Sequence, residues 1–97
     1  MQQYNLRIDI TSSHAVKFIR RSGLELQRRI KDALLAIQAT PSIGRHCTGD
    51  LRGVQIYALS QRRQHLRIAY RLHSDSIEVI AIGPRENFYR SLKRRRT

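Results

Sequence analysis

The sequence predicts an α+β fold in which an N-terminal strand and a helical hairpin pack with a small antiparallel β-sheet, followed by a short C-terminal helix. Three observations carry this prediction: an alternating apolar segment at the start, apolar residues at helical spacing in the first half, and a period of two in the second half. The chain has 97 residues, and a chain of this size buries roughly 60–70% of its surface in one small core. We therefore expect a single domain over residues 1–97.

The first elements are a strand and a short helix. The segment YNLRIDI has an apolar residue at every second position, which predicts a half-buried strand over residues 4–10. The pair Ser12-Ser13 supplies an N-cap for the helix HAVKFIRRS, and Gly23 is expected to close that helix. This order predicts that the chain turns from sheet to helix within a few residues.

A longer helix is predicted over residues 24–38. Its apolar stripe is Leu26, Ile30, Leu34 and Ile37, while charged and polar residues occupy the other side. The dipeptide Thr40-Pro41 ends it, because a residue that precedes proline is disfavoured in the helical region. The following segment PSIGRHCTGD, residues 41–50, has the composition of a surface loop.

Three strands follow, RGVQIYALS (52–60), HLRIAYRL (65–72) and SIEVIAIG (76–83), separated by the short polar linkers QRRQ and HSDS. Short linkers predict an antiparallel meander with the helices on its apolar face. In the middle strand, alternation places Arg67 and Arg71 on the face opposite the apolar residues Leu66, Ile68, Tyr70 and Leu72. We therefore expect an open sheet face that carries arginines.

The charge balance indicates a partner that carries phosphate. There are 19 Lys and Arg against 7 Asp and Glu, a formal net charge of +12, and only Lys17, Lys31 and Lys93 are lysines. The planar guanidinium group binds phosphate oxygens in bidentate fashion and stacks on bases, so an arginine-rich basic surface suits nucleic acid. A membrane surface or an acidic protein would use the same charge.

Cysteine usage and hydropathy narrow the class of protein. Cys47 is the one cysteine, so no intramolecular disulfide forms. His46 and Cys47 have no second Cys or His pair at ligand spacing, and we expect neither a metal nor a cofactor. The longest apolar run, ALLAI at 33–37, is far too short to span a membrane. No apolar signal segment opens the chain, so we expect a soluble, cytoplasmic protein.

The order of these elements resembles the RelE/ParE toxin superfamily of bacterial type II toxin–antitoxin systems. The resemblance runs from the first strand and helical hairpin through PSIG at 41–44, LRG at 51–53 and LRIAYRL to the closing IGPRENFYR at 82–90. It implies a toxin that an antitoxin wraps and neutralises. It also leaves two activities open, since RelE-like members cleave mRNA on the ribosome and ParE-like members poison DNA gyrase.

The RelE-like branch implies roles for individual residues. Its strand arginine corresponds to Arg67, the arginine after its last strand to Arg85, and its C-terminal tyrosine to Tyr89. The two lysines that RelE-like members carry before the hairpin fall on Ala58 and Ser60, so we do not expect proton transfer by lysine at these two positions.

Cleavage of RNA by its own 2′-hydroxyl needs a base, an acid, and cations at the phosphorus. Arg67 and Arg85 suit the phosphate but not proton transfer, because a guanidinium group hardly exchanges protons near neutrality. Tyr89 is the first candidate for acid–base work, followed by His46 and His65, with Glu86 also available.

The leading hypothesis is a metal-independent, ribosome-dependent mRNA endoribonuclease that inhibits translation. Its partners are expected to be the ribosome, mRNA and an acidic antitoxin. The alternatives are a ParE-like gyrase inhibitor and an inactive member that binds RNA or antitoxin. The residues expected to hold RNA are Arg45, Arg52, Arg62, Arg63, Arg71, Lys93, Arg94 and Arg95.

Overall fold

The computed structural model describes residues 6–84 together with Phe88 and Leu92. The strands are β1 (Arg7–Ile10), β2 (Arg45–His46), β3 (Gln55–Gln61), β4 (Gln64–Leu72) and β5 (Ser76–Pro84). The helices are α1 (Ser13–Arg21) and α2 (Leu24–Ala39), and short 3₁₀ turns cover Pro41–Ile43 and Gly49–Leu51. This order confirms the predicted α+β class; the predicted C-terminal helix lies outside the described residues.

The five strands form one sheet in the order β1-β5-β4-β3-β2. The predicted antiparallel meander of β3, β4 and β5 is confirmed. The sheet as a whole is mixed, because β1 pairs with β5 in parallel, from Arg7 opposite Ser76 to Ile10 opposite Val79. The strand–helix–helix path returns β1 alongside the last strand of the meander, a parallel pairing that the sequence analysis did not predict.

The helical hairpin begins and ends through local hydrogen bonds. The Ser12 hydroxyl accepts from the Ala15 amide at 3.2 Å and caps α1, as predicted. Gly23 does not close α1; that helix ends at Arg21, and the Ser22 hydroxyl donates to the Phe18 carbonyl at 2.7 Å. Gly23 is the residue before the first turn of α2, whose Gln27 side chain donates to the Ile19 carbonyl at 2.8 Å. These bonds fix the angle between the two helices.

The main core lies between the helices and one face of the sheet. It contains Ala15, Ile30, Ala33 and Ile37 from the helices and Ile68, Tyr70, Ile77, Val79 and Ile82 from β4 and β5. Because these side chains are almost wholly withdrawn from water, they supply most of the apolar burial that stabilises the fold. The stripe predicted for α2 is thus on the buried side.

A second core covers part of the opposite sheet face, which we call the distal face. It contains Leu51, Val54, Ile56, Ala69, Ala81, Phe88 and Leu92. The prediction of an open distal face was wrong in its centre, because apolar residues on either side of Gly53 fold back over the sheet. Arginines remain towards the edges of that face.

The loop after α2 is anchored by a buried tyrosine. The Tyr70 hydroxyl donates to the Pro41 carbonyl at 2.8 Å and accepts from the Gly44 amide at 2.9 Å and from the Gln55 side chain at 3.2 Å. Burial raises the pKa of the Tyr70 hydroxyl above its usual value, opposed in part by the bond from Gly44. The anchor leads directly into β2, the edge strand that the sequence did not predict.

Candidate functional site

Strand β4 places His65 and Arg67 on the distal face. They are two residues apart, roughly 7 Å along a strand, and therefore point to the same side. The cross-strand neighbours of Arg67 are Ala58 on β3 and Gly83 on β5. Both are small, and a Cβ atom added at Gly83 would lie 4.0 Å from the Phe88 ring. Arg67 is half-buried and its Nε atom is withdrawn from water.

His65 has a defined hydrogen-bond partner. Its Nδ1 lies 3.2 Å from the hydroxyl of Ser60, its cross-strand neighbour. The Arg29 side chain of α2 donates to the Ser60 carbonyl, which ties this end of β3 to the helical hairpin. Because Ser60 engages Nδ1, the other ring nitrogen, Nε2, is the one that can exchange a proton with a ligand. The His65 side chain is exposed.

The structure separates the two candidate histidines. His46 lies on β2 opposite Gln55, whose side chain bonds to Tyr70 on the helix side of the sheet. Alternation places its neighbour Arg45 with Ile56 on the distal face. His46 and His65 therefore do not act on one bound group, whereas Arg45 shares a face with Arg67.

The other arginines predicted to bind RNA lie in different parts of the surface. Arg52 is exposed beside Gly53, in the turn before β3. Arg62 and Arg63 form the exposed tip of the β3–β4 hairpin, where Arg62 pairs with Glu25 of α2 at 3.4 Å. Arg71 is half-buried on the distal face opposite Glu78. The remaining candidates lie outside the described residues: Arg85, Glu86, Tyr89, Lys93, Arg94 and Arg95.

A hydrogen-bond network at the other end of β4 was not predicted. The Glu78 carboxylate lies 2.8 Å from His73 Nε2 and accepts from the Thr11 hydroxyl at 2.9 Å. These two bonds, His73 first, lower the pKa of Glu78, with a smaller contribution from Arg71. The alternation of β5 contained the signal, because it places Glu78 among apolar neighbours on the face that Arg71 shares.

The described residues show the environment of Cys47 and the spacing of the side chains that could bind a metal. Cys47 is half-buried, and desolvation raises the pKa of its thiol despite the opposing charge of Arg45. Within residues 6–84, 88 and 92, no three of His, Cys, Asp and Glu cluster closely enough to hold a metal ion. Over the same residues, no helix is long and apolar enough to cross a membrane.

Comparison with solved structures identifies relatives that share the fold. A doubly substituted mutant of the E. coli toxin RelE in its free state superimposes with a TM-score of 0.69 at 21% identity, covering 97% of this chain and 98% of that one. The intact E. coli RelBE toxin–antitoxin complex gives 0.62 at 22% identity, covering 87% and 99%. The RelE mutant bound to a RelB peptide gives 0.66 at 18% identity, covering 90% and 94%. The chain therefore has the fold seen in E. coli RelE.

A family profile makes the assignment more specific. The profile described as "ParE-like toxin of type II bacterial toxin-antitoxin system" matches residues 10–93. The chain belongs to that family and is a type II toxin. A comparison with curated protein sequences gave no significant match.

Proposed function

We propose that this toxin is a ribosome-dependent endoribonuclease that cleaves mRNA without a metal ion and so inhibits translation. The observation that carries the proposal is the placement of His65 and Arg67 on one strand face, with Ser60 holding Nδ1 of the imidazole. A neutral imidazole accepts a proton at Nε2, and a fixed guanidinium group stabilises charge that develops on phosphorus. Together they supply two of the three parts that the reaction needs.

The proposed reaction is an internal transesterification. The 2′-hydroxyl attacks the adjacent phosphorus, its proton passes to a base, and the 5′-oxygen leaves with a proton from an acid. His65 performs one of the two proton transfers, and Tyr89 is the proposed partner for the other. Arg67 and Arg85 hold the non-bridging oxygens. The lysines missing at Ala58 and Ser60 are thus replaced by a histidine that Ser60 orients.

The proposed partners follow from the charge and from the relatives. E. coli RelE is seen with its antitoxin RelB in matched structures, and we propose that this chain likewise has an acidic antitoxin. Opposite charge on an antitoxin would speed its association with a surface of +12. The ribosome and mRNA present phosphate to the same surface, in the cytoplasm where they meet the toxin.

The test is a brief induction of the free protein in bacteria, followed by primer extension on an abundant mRNA with parallel labelling of protein and DNA synthesis. We expect codon-phased cuts, with protein synthesis stopping first. Arg67→Ala and His65→Ala should each lower cleavage by about 10²-fold or more, and Arg85→Ala should do so as well. Lys31→Ala, an exposed change on α2, should leave the cuts unchanged.

A second candidate is inhibition of DNA gyrase in the manner of ParE. The observation that favours it is the ParE-like family match together with Ala58 and Ser60 in place of lysines. DNA synthesis stopping first, with uncut mRNA, would support this candidate and contradict the endoribonuclease. No arrest of either kind would contradict both and leave a module that binds RNA or antitoxin.

A further inference from the structure

A cleft of about 380 Å³ opens on the distal face beside the start of α1. Its volume lies in the range of small-molecule sites. Four of its lining residues are apolar and six are polar. The lining residues are Thr11, Ser12, Ser13, His14, Leu51, Val54, Arg71, Glu78, Ile80 and Leu92. The cleft therefore combines an apolar contact surface with hydrogen-bonding groups, as a flat polar ring requires.

Arg71 is the cation of this cleft that the fold leaves available. It is half-buried and lies directly across from Glu78 on β5. Glu78 bonds instead to His73 and Thr11, and Arg71 makes no hydrogen bond or ion pair within the part of the chain that the structure describes. Its charge attracts the Glu78 carboxylate without a direct bond, and a guanidinium group that is partly withdrawn from water and not hydrogen-bonded can donate several hydrogen bonds to a ligand.

Glu78 adds acceptors beside these donors. One of its oxygens bonds to His73 and the other to Thr11, which fixes the carboxylate in place. Each carboxylate oxygen has two acceptor sites, so each can still accept from a ligand. Donors from Arg71 and acceptors from Glu78 thus lie side by side on neighbouring strands.

This pattern matches the edge of a nucleobase that carries an amino group. Cytosine, adenine and guanine each present an amino donor next to a ring acceptor or carbonyl, and carboxylates accept from the cytosine amino group in known recognition. Uracil has no amino group and would place a carbonyl oxygen against Glu78. The exposed ring of His14 at the rim offers a surface on which a base can stack.

We propose that the cleft binds a nucleobase bearing an exocyclic amino group, with Arg71 and Glu78 reading its edge and Leu51, Val54, Ile80 and Leu92 contacting its ring. The inference rests on the proposed RNA substrate. Arg71 is four residues from Arg67 along β4, roughly 13 Å, so a strand whose phosphate lies at Arg67 can place a nearby base in the cleft. The cleft would then select the sequence around the cut.

The test uses cytidine and uridine monophosphates, which have the same phosphate and ring size and differ in the amino group. Each is titrated into the ¹⁵N-labelled full-length protein while backbone amide shifts are followed. We expect saturable shifts at Thr11–His14 and around Arg71 and Ile80, with cytidine monophosphate binding roughly fivefold or more tightly than uridine monophosphate.

Matched variants separate recognition from folding. Arg71→Gln should weaken binding of cytidine monophosphate roughly tenfold without loss of structure, because Arg71 has no bond within the described fold. Arg28→Gln removes the same charge from the exposed side of α2 and should change nothing. Glu78→Gln should abolish the preference for cytosine over uracil, since an amide can both donate and accept.

Three results would overturn the inference. They are equal shifts with both nucleotides and with inorganic phosphate, no shifts at the cleft, and a response of the cleft to an acidic peptide alone. The binding assay needs no cleavage, so its outcome is independent of the induction experiment. Cytosine-selective binding with uncut mRNA would contradict only the endoribonuclease, and codon-phased cuts with no nucleotide in the cleft would contradict only the base site.

Discussion

At the scale of single residues, the contact between Tyr70 and Gly44 determines how the loop after α2 is held. A Cβ atom at Gly44 would lie 2.6 Å from the Tyr70 hydroxyl oxygen and 2.9 Å from Cε1, and Tyr70 is fully buried. Glycine is therefore required by close approach, since its φ of −76° is open to other residues. The sequence motif PSIG at 41–44 has its physical reason in this contact.

We expect Tyr70→Phe to lower the free energy of unfolding by about 1–3 kcal/mol, because Gly44 and Gln55 lose a buried acceptor and Pro41 a donor. Gly44→Ala should cost a similar amount through the clash. The double variant should cost less than the sum of the two, since removal of the hydroxyl relieves the shortest contact. Urea denaturation of the four proteins measures the cycle; strict additivity would show that the contact is not what excludes a side chain at Gly44.

The sequence identified candidate site residues by their type and their alternation along the strand, but it did not identify which side chains lie beside them. The alternation of side chains along β4 predicted the sheet face on which Arg67 lies. The structure adds that Ser60 lies beside His65. That pairing depends on the register Ser60 opposite His65, which local sequence does not determine. For the same reason His46 was placed with the candidate site, although β2 carries it to the other face.

At the scale of elements, the turn of the β3–β4 hairpin carries backbone strain. Arg62 has φ of +54°, a conformation that costs an L-residue with a side chain roughly 1–2 kcal/mol. Its neighbour Arg63 is equally exposed but has no positive φ. The ion pair of Arg62 with Glu25 is exposed and contributes little to stability.

We therefore expect opposite results from the same change at adjacent positions. Arg62→Gly should leave the melting temperature unchanged or raise it, because glycine adopts positive φ without strain. Arg63→Gly should lower stability by roughly 0.5–1 kcal/mol through the greater entropy of the unfolded chain. Thermal unfolding followed by circular dichroism compares them; equal losses would mean that Arg62 is not strained.

The elements were predictable where the signal is local. The apolar stripe and Thr40-Pro41 predicted α2 to within one residue of its observed end at Ala39. Strand β2 was missed because two residues, Arg45 and His46, contain no periodicity to detect. The parallel pairing of β1 joins residues nearly 70 positions apart, so it depends on how the whole chain packs.

At the scale of the whole molecule, the dominant property is unbalanced positive charge. A net charge of +12 over 97 residues repels itself in the folded state, and an anionic partner relieves that repulsion. The distal face illustrates how this charge is arranged: apolar residues cover its centre, while Arg45, Arg67 and Arg71 lie around them. Sequence analysis predicted the cations but not the apolar centre, because Leu51 lies between the predicted loop (41–50) and the predicted strand (52–60) and Val54 lies near the start of that strand.

Helix α1 is where this repulsion can be tested away from the candidate site. Lys17 is exposed and lies three and four residues before Arg20 and Arg21, where like charges destabilise a helix. Lys17→Glu replaces two repulsive pairs with two attractive ones and lowers the net charge by two. We expect it to raise the free energy of unfolding by about 0.5–1 kcal/mol at low salt, and most of that gain to disappear at roughly 0.5 M NaCl, where the screening length is only a few ångströms. Lys31→Glu makes the same change in net charge on α2, where Lys31 has one such basic neighbour, Arg28, three residues before it, and should give a smaller gain. The penalty of Tyr70→Phe, a change at a buried and uncharged side chain, should not depend on salt. A gain for Lys17→Glu that persists at high salt would show that local packing, and not the positive field of this toxin, limits the stability of α1.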